Sequence, residues 1–151
     1  MIRNKLALTI VAGGLLASTW LRAEVVNIDN EELSRLLAAG TPIIDIRTEP
    51  EWRDTGVVKS SHLLTFFDES GKSDPAAWLD KVKGFTRPAD PVIVICRSGN
   101  RTRAVARFLD QQAGYKKVYN VKHGINDWLK DKRPTVAAEP LLAACKSTGK
   151  C

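Results

Sequence analysis

Cys96 stands among residues that suit a nucleophile. It closes the apolar run Val92-Ile93-Val94-Ile95 and opens the polar stretch Arg97-Ser98-Gly99-Asn100-Arg101, after which Val105, Phe108 and Leu109 recur at helical spacing. The thiol thus falls where a strand turns into a helix. Backbone N–H groups of such a turn converge on any anion at its centre, and the helix dipole adds partial positive charge. Arg97 and Arg101 contribute two full charges. This field favours thiolate, the nucleophilic form, over thiol, and it favours an anionic substrate. Gly99 allows backbone angles that other residues avoid and brings its N–H close to the bound group. A persulfide, thiosulfate, sulfate or phosphate fits such a cradle. A cysteine acting only as a small buried hydrophobe has no need of these neighbours.

The elements that must position this loop alternate along the chain. Val25 to Ile28 reads as a strand, and Asp29 with Glu32 starts a helix that ends at Gly40. Pro42 to Ile46 is a β-branched run expected as a buried central strand, followed by a short helical turn from Thr48 to Thr55 with Pro50 in its first turn. Leu63 to Phe67 reads as another strand, and Asp74-Pro75 opens a helix closed by Gly84. Beyond the Cys96 loop, a helix from Thr102 to Ala113, a strand from Val118 to Val121 and a helix from His123 to Lys130 complete the pattern. Strands alternating with helices predict an α/β domain with a central parallel sheet and helices on both faces, and ligands of such sheets bind beyond the carboxyl ends of the strands, where Cys96 lies. Thr135 to Cys151 reads as a tail beyond the core, with a short helix expected within Val136 to Ala144.

The chain has 151 residues with 44% hydrophobic and 26% charged content, the composition of one globular domain. Met1-Ile2-Arg3-Asn4-Lys5, the apolar stretch Leu6 to Leu21 and Arg22-Ala23 have the order of a secretory signal, so residues 1–23 are expected to be removed on export to the periplasm. The formal charge is +6; without Arg3, Lys5 and Arg22 it is 20 basic against 17 acidic residues, or +3. That balance, with no long basic run, gives no reason to expect a nucleic-acid partner. After cleavage no membrane attachment is expected, and the domain at 24–134 is expected as a monomer. His62 and His123 lack ligand spacing to other residues, so no metal is expected.

The motifs resemble the rhodanese-like domain family. Cys96-Arg97-Ser98-Gly99-Asn100-Arg101 looks like its active-site loop, Ile44-Asp45-Ile46-Arg47 with Glu51-Trp52 its Asp-x-Arg stretch and Glu-aromatic pair, and Val121 to Trp128 its Gly-Gly-x-x-x-Trp stretch with His123 for the first Gly. Gly56-Val57-Val58-Lys59-Ser60-Ser61 corresponds to Gly-His-Ile-x-Gly-Ala, with Val for His and Ser-Ser for Gly-Ala. The resemblance runs from about Val25 to Pro134 and implies a three-layer fold and a thiosulfate sulfurtransferase. Cys96 would attack the outer sulfur of a donor such as thiosulfate, and the persulfide would pass to cyanide, a thiol or a protein. Arg97, Ser98, Gly99, Asn100 and Arg101 would hold the substrate, Arg101 by contact and Arg97 by its field. Asp45 and Arg47 would pair beside the site, and no cofactor is implied.

Two other functions compete with this one. A Cys-dependent phosphatase or arsenate reductase would carry its Arg one position beyond Arg101, where this chain has Thr102. A non-catalytic persulfide carrier or redox-binding module would share the loop without efficient turnover. In an oxidising compartment Cys145 and Cys151, separated by a segment containing Gly149, are expected to close a disulfide, leaving Cys96 unpaired; a mobile dithiol that relays sulfur from Cys96 is the alternative.

Overall fold

The computed structural model describes residues 24–149. The signal expected over residues 1–23 and the expected partner cysteine Cys151 lie outside the described residues. Eleven elements alternate: β1 Glu24–Ile28, α1 Asn30–Ala38, β2 Ile43–Asp45, α2 Glu49–Thr55, β3 His62–Leu63, α3 Pro75–Val82, β4 Val92–Ile95, α4 Asn100–Gln111, β5 Lys117–Val121, α5 Gly124–Lys130 and α6 Glu139–Thr148. The strands form one sheet in the order β1-β5-β4-β2-β3, with every pairing parallel.

Alternation along the central strands divides the core. Val92, Val94 and Cys96 face Trp78 and Val82 of α3 and Val105, Ala106 and Leu109 of α4. Ile93 and Ile95 face the opposite way, against Leu33 and Leu36 of α1 and Ile125 and Trp128 of α5. A strand buried on both faces must be apolar at every position, which explains the unbroken Val-Ile-Val-Ile run. Burying a side chain of this size is worth about 1.5–3 kcal/mol, so this run anchors the strand that ends at the nucleophile.

Caps set the helix starts. Asp29 accepts from the N–H groups of Glu31 (3.1 Å) and Glu32 (2.9 Å), and Asp74 accepts from Ala77 (3.0 Å). β3 is shorter than the run Leu63 to Phe67 suggests: it pairs only over His62–Leu63, after which Phe66 turns into the cluster with Trp78 and Phe108.

The segment after Pro134 belongs to the packed structure more closely than a tail would. Val57 and Val136 exchange backbone hydrogen bonds of 3.0 and 2.9 Å, and Ala138 and Leu142 bury themselves against Trp52, Val57 and Leu63 in a third apolar cluster. Thus α6 lies over the edge strand β3 and α2, and it shields an edge that would otherwise offer unpaired backbone. Arg53 bonds Glu139 at 2.8 Å on the surface of the same contact. Cys145 is disulfide-bonded, and its Sγ lies 3.8 Å from the Leu63 carbonyl. That approach is a contact, because a disulfide sulfur carries no hydrogen to donate. Cys96 is free.

Candidate active site

Cys96 follows the last residue of β4, and its thiol is fully buried. The chain then turns at Gly99, whose φ of +83° lies in the left-handed region, and enters α4 at once. The helix therefore begins at Asn100, two residues earlier than the spacing of Val105, Phe108 and Leu109 indicates. Asn100 and Arg101 form its first turn instead of prolonging the loop. The first N–H groups of a helix have no acceptor within it, so this early start brings the orphan donors of the first turn next to the turn that holds Cys96.

Two hydrogen-bonding groups touch the sulfur. The Gly99 N–H donates to Sγ at 3.2 Å, and the Thr102 hydroxyl lies 3.5 Å from it. Thr102 also reaches the Gly99 carbonyl at 3.0 Å. Its single proton can serve the carbonyl while the sulfur is a thiol, or turn to the sulfur when that is a thiolate. In the sequence Thr102 marks the expected helix start and the position where a phosphatase would carry Arg, neither of which gives it a contact with the sulfur. Its place one helical turn after Gly99 is the signal that could have identified it.

The loop is fixed from behind by α5. The Ile125 N–H donates to the Cys96 carbonyl at 2.9 Å and the Asn126 N–H to the Arg97 carbonyl at 3.1 Å. Both carbonyls are thereby engaged by α5, while the Gly99 N–H is left to the sulfur. Such close approach excludes side chains at two glycines. A Cβ at Gly124 would lie 2.3 Å from the Cys96 carbonyl oxygen, and one at Gly99 only 2.0 Å from that of Lys122. This contact gives the glycine of the His123-Gly124 pair its physical reason.

Glu51, quoted in the sequence only as part of a motif, proves to be the partner of Arg101. The guanidinium donates from Nη1 to Oε2 at 2.8 Å and from Nη2 to Oε1 at 2.5 Å, a two-pronged pairing. The same carboxylate accepts from the Thr48 N–H and hydroxyl, each at 3.1 Å, which ties it to the start of α2. Burial pushes the Glu51 carboxyl up, but the Arg101 and Thr48 hydrogen bonds and the Arg101 charge outweigh it and hold the group at about 2. Arg101 in turn is raised above its ordinary range by the Glu51 hydrogen bonds foremost, against burial, with the charges of Glu51, Cys96 and Asp45 adding.

Asp45 and Arg47 are both buried and pair at 2.7 Å, with further bonds from Arg47 to the Thr55 hydroxyl (2.7 Å), the Glu51 carbonyl (3.2 Å) and the Gly56 carbonyl (3.0 Å). This network clamps the end of β2 to α2, and so positions Glu51. The turn at Gly56 to Ser61 has its own logic. Val57, where the motif carries His, is fully buried beneath α6, and Ser60, where the motif carries Gly, keeps a left-handed φ of +67°.

Arg97, Ser98 and Asn100 are exposed, and Arg101 is half-buried. Over the loop opens a cavity of about 450 Å³ lined by Thr48, Glu51, Asp68, Glu69, Arg97, Ser98 and Arg101. Larger cavities lie elsewhere and include no residue of the loop from Cys96 to Arg101. The arrangement combines a buried sulfur, the Gly99 amide donating to it and a cavity beside its loop lined by Arg97 and Arg101, parts suited to an anion held near a cysteine.

The profile of the rhodanese-like domain family matches residues 29–131. The chain is 32% identical over 116 residues to thiosulfate sulfurtransferase 18 of Arabidopsis thaliana, covering 74% of this chain and 83% of that protein. It is 32% identical over 118 residues to a sulfurtransferase of Allochromatium vinosum, covering 76% and 98%. Among solved structures, the polysulfide-sulfur transferase homodimer of Wolinella succinogenes is similar with a TM-score of 0.58 at 22% identity, covering 77% of this chain and 81% of that one. That last likeness concerns the fold alone.

Proposed function

This chain belongs to the rhodanese-like domain family of sulfurtransferases, and on that premise we propose that it moves sulfane sulfur from thiosulfate or a similar donor to a thiophilic acceptor through a persulfide on Cys96. The observation that carries the reading is the free Cys96 thiol at the mouth of α4, with the Gly99 N–H donating to its sulfur at 3.2 Å. In the first step the thiolate attacks the outer sulfur of thiosulfate. A Cys96–S bond forms, the donor S–S bond breaks, and sulfite leaves with the electron pair. In the second step an acceptor nucleophile attacks the outer persulfide sulfur, and Cys96 departs as thiolate. Splitting the transfer in two is what covalent catalysis provides. The amides of the turn stabilise the terminal sulfur anion as an oxyanion hole would.

We further propose, from the signal-like order of residues 1–23, that the working protein is a periplasmic monomer after their removal. Mass spectrometry of intact protein before and after thiosulfate is the test. A gain of one sulfur mapped to Cys96, lost again on adding cyanide with formation of thiocyanate, is expected. No added sulfur on a folded protein would overturn the mechanism, and a persulfide that forms but does not turn over would leave a carrier instead of an enzyme.

A further inference from the structure

The cavity beside the Cys96 loop is charged in a particular way. Five of its seven lining residues are ionisable, and two of these, Glu51 and Arg101, neutralise each other in their two-pronged pair. The remaining charges stand apart. Among the described residues Arg97 forms no ion pair, and it also lines a second, smaller cavity together with Asp54. Glu69, on the cavity wall, likewise forms no ion pair among the described residues. Asp68 is ionised within a closed turn: its carboxylate accepts from the Ser70 N–H and hydroxyl and the Lys72 N–H at 2.7–2.8 Å, its N–H donates to the Lys72 carbonyl, and its carbonyl accepts from Gly71. This turn holds Glu69 at the cavity wall. The cavity therefore offers a cation contributed by the Cys96 loop and two anions contributed by the turn after β3.

A simple dianion matches only the first of these. A thiol that carries a carboxylate and an ammonium group together on the carbon next to its CH2–SH offers a partner to each, and about 450 Å³ falls within the range of small-molecule sites. We propose that the sulfur acceptor at this mouth is a zwitterionic, amino-acid-type thiol, its carboxylate toward Arg97 and its ammonium toward Glu69 and Asp68. The inference rests on the sulfurtransfer reading above and specifies its second substrate. In the step concerned the acceptor thiolate attacks the outer sulfur of the Cys96 persulfide. The new S–S bond forms on the acceptor, the bond to Cys96 breaks, and Cys96 leaves as thiolate with no net oxidation or reduction.

The test compares four acceptors with thiosulfate as donor, each at matched thiolate concentration: L-cysteine with both charges, 3-mercaptopropionate with the carboxylate only, cysteamine with the ammonium only, and 2-mercaptoethanol with neither. The readout is the ratio of KM for each charged acceptor to that for 2-mercaptoethanol. L-cysteine is expected to have the lowest KM, about fivefold below 2-mercaptoethanol, as suits ion pairs in a partly wet mouth. Glu69→Gln should shrink the advantage of L-cysteine and cysteamine, and Glu69→Lys should shift preference to 3-mercaptopropionate. Glu69 is exposed, so both variants should fold. Equal KM values for all four thiols, or a preference untouched by Glu69→Lys, overturn the proposal while leaving sulfur transfer standing. Failure to load sulfur on Cys96 at all, seen by mass before any thiol is added, overturns both.

Discussion

Arg101 Nη2 lies 2.5 Å from Glu51 Oε1, and this one pair joins the helix that follows the nucleophile to the helix that follows β2. Its consequence is that the guanidinium facing the cavity is already engaged by a carboxylate. An incoming anion meets Arg101 through whatever donors Glu51 leaves, or displaces Glu51.

Glu51→Gln is therefore expected to lower KM for thiosulfate by about threefold to tenfold, since removing one charge in a partly desolvated site is worth of the order of 1 kcal/mol. The same change should lower stability by about 2 kcal/mol, because the glutamine keeps an acceptor for Thr48 but loses the ion pair. Steady-state kinetics and urea unfolding of the same preparation check both. A higher KM would show that Glu51 is needed to aim Arg101 at the donor.

The two arginines should differ in kind. Arg101→Ala strands the Glu51 carboxylate in a half-buried place and should cost both stability and turnover. Arg97→Ala, at an exposed side chain with no ion pair among the described residues, should cost turnover with no loss of stability beyond about 0.5 kcal/mol. Parallel thermal melts and thiocyanate assays separate the cases.

Acid should weaken the fold through Glu51. Its folded value of about 2 lies below the ordinary 4.5, so the group contributes stability that is fully present above about pH 4.5 and is lost as pH falls toward 2. Allowing for solvent screening at a pair about a quarter exposed, the loss is of the order of 2 kcal/mol. Unfolding free energy measured between pH 6 and pH 2.5 should fall less steeply in Glu51→Gln than in the parent protein.

Gly124→Ala should damage the site more than its small size suggests. The added methyl would fall 2.3 Å from the Cys96 carbonyl oxygen, and φ is +61° there. A loss of at least about 2 kcal/mol with little remaining turnover is expected. Ser60→Gly should do the reverse. Relief of a left-handed serine at φ +67° is expected to raise stability by about 0.5–1 kcal/mol, with turnover unchanged.

Leu142→Ala tests the role of α6. The side chain is buried against the cluster around Trp52 and Val57, so a loss of about 2–4 kcal/mol is expected. A loss below 0.5 kcal/mol, read by urea unfolding, would mean that α6 is a dispensable covering.

The alternation of apolar runs and helical periods, the Val92 to Ile95 strand and the Cys96 loop were legible in the sequence, because each depends on neighbours a few residues apart. Helix starts at Asp29 and Asp74 could be read for the same reason, as could the Asp45-x-Arg47 stretch. Tertiary structure alone decided the rest. The pairing of Glu51 with Arg101 spans 50 residues, the contact of Gly124 with the Cys96 carbonyl 28, and the covering of Val57 by α6 brings the end of the chain against its middle. No local period announces such contacts: a glycine needed for backbone approach looks like a turn glycine, and an acid that holds an arginine looks like any helix-start acid. An Ala-rich segment beyond the last recognisable element also looks like a tail until a strand edge is found beneath it. The chemistry was written locally, in one strand and one turn; which charges face that chemistry was settled only when distant segments were folded against each other.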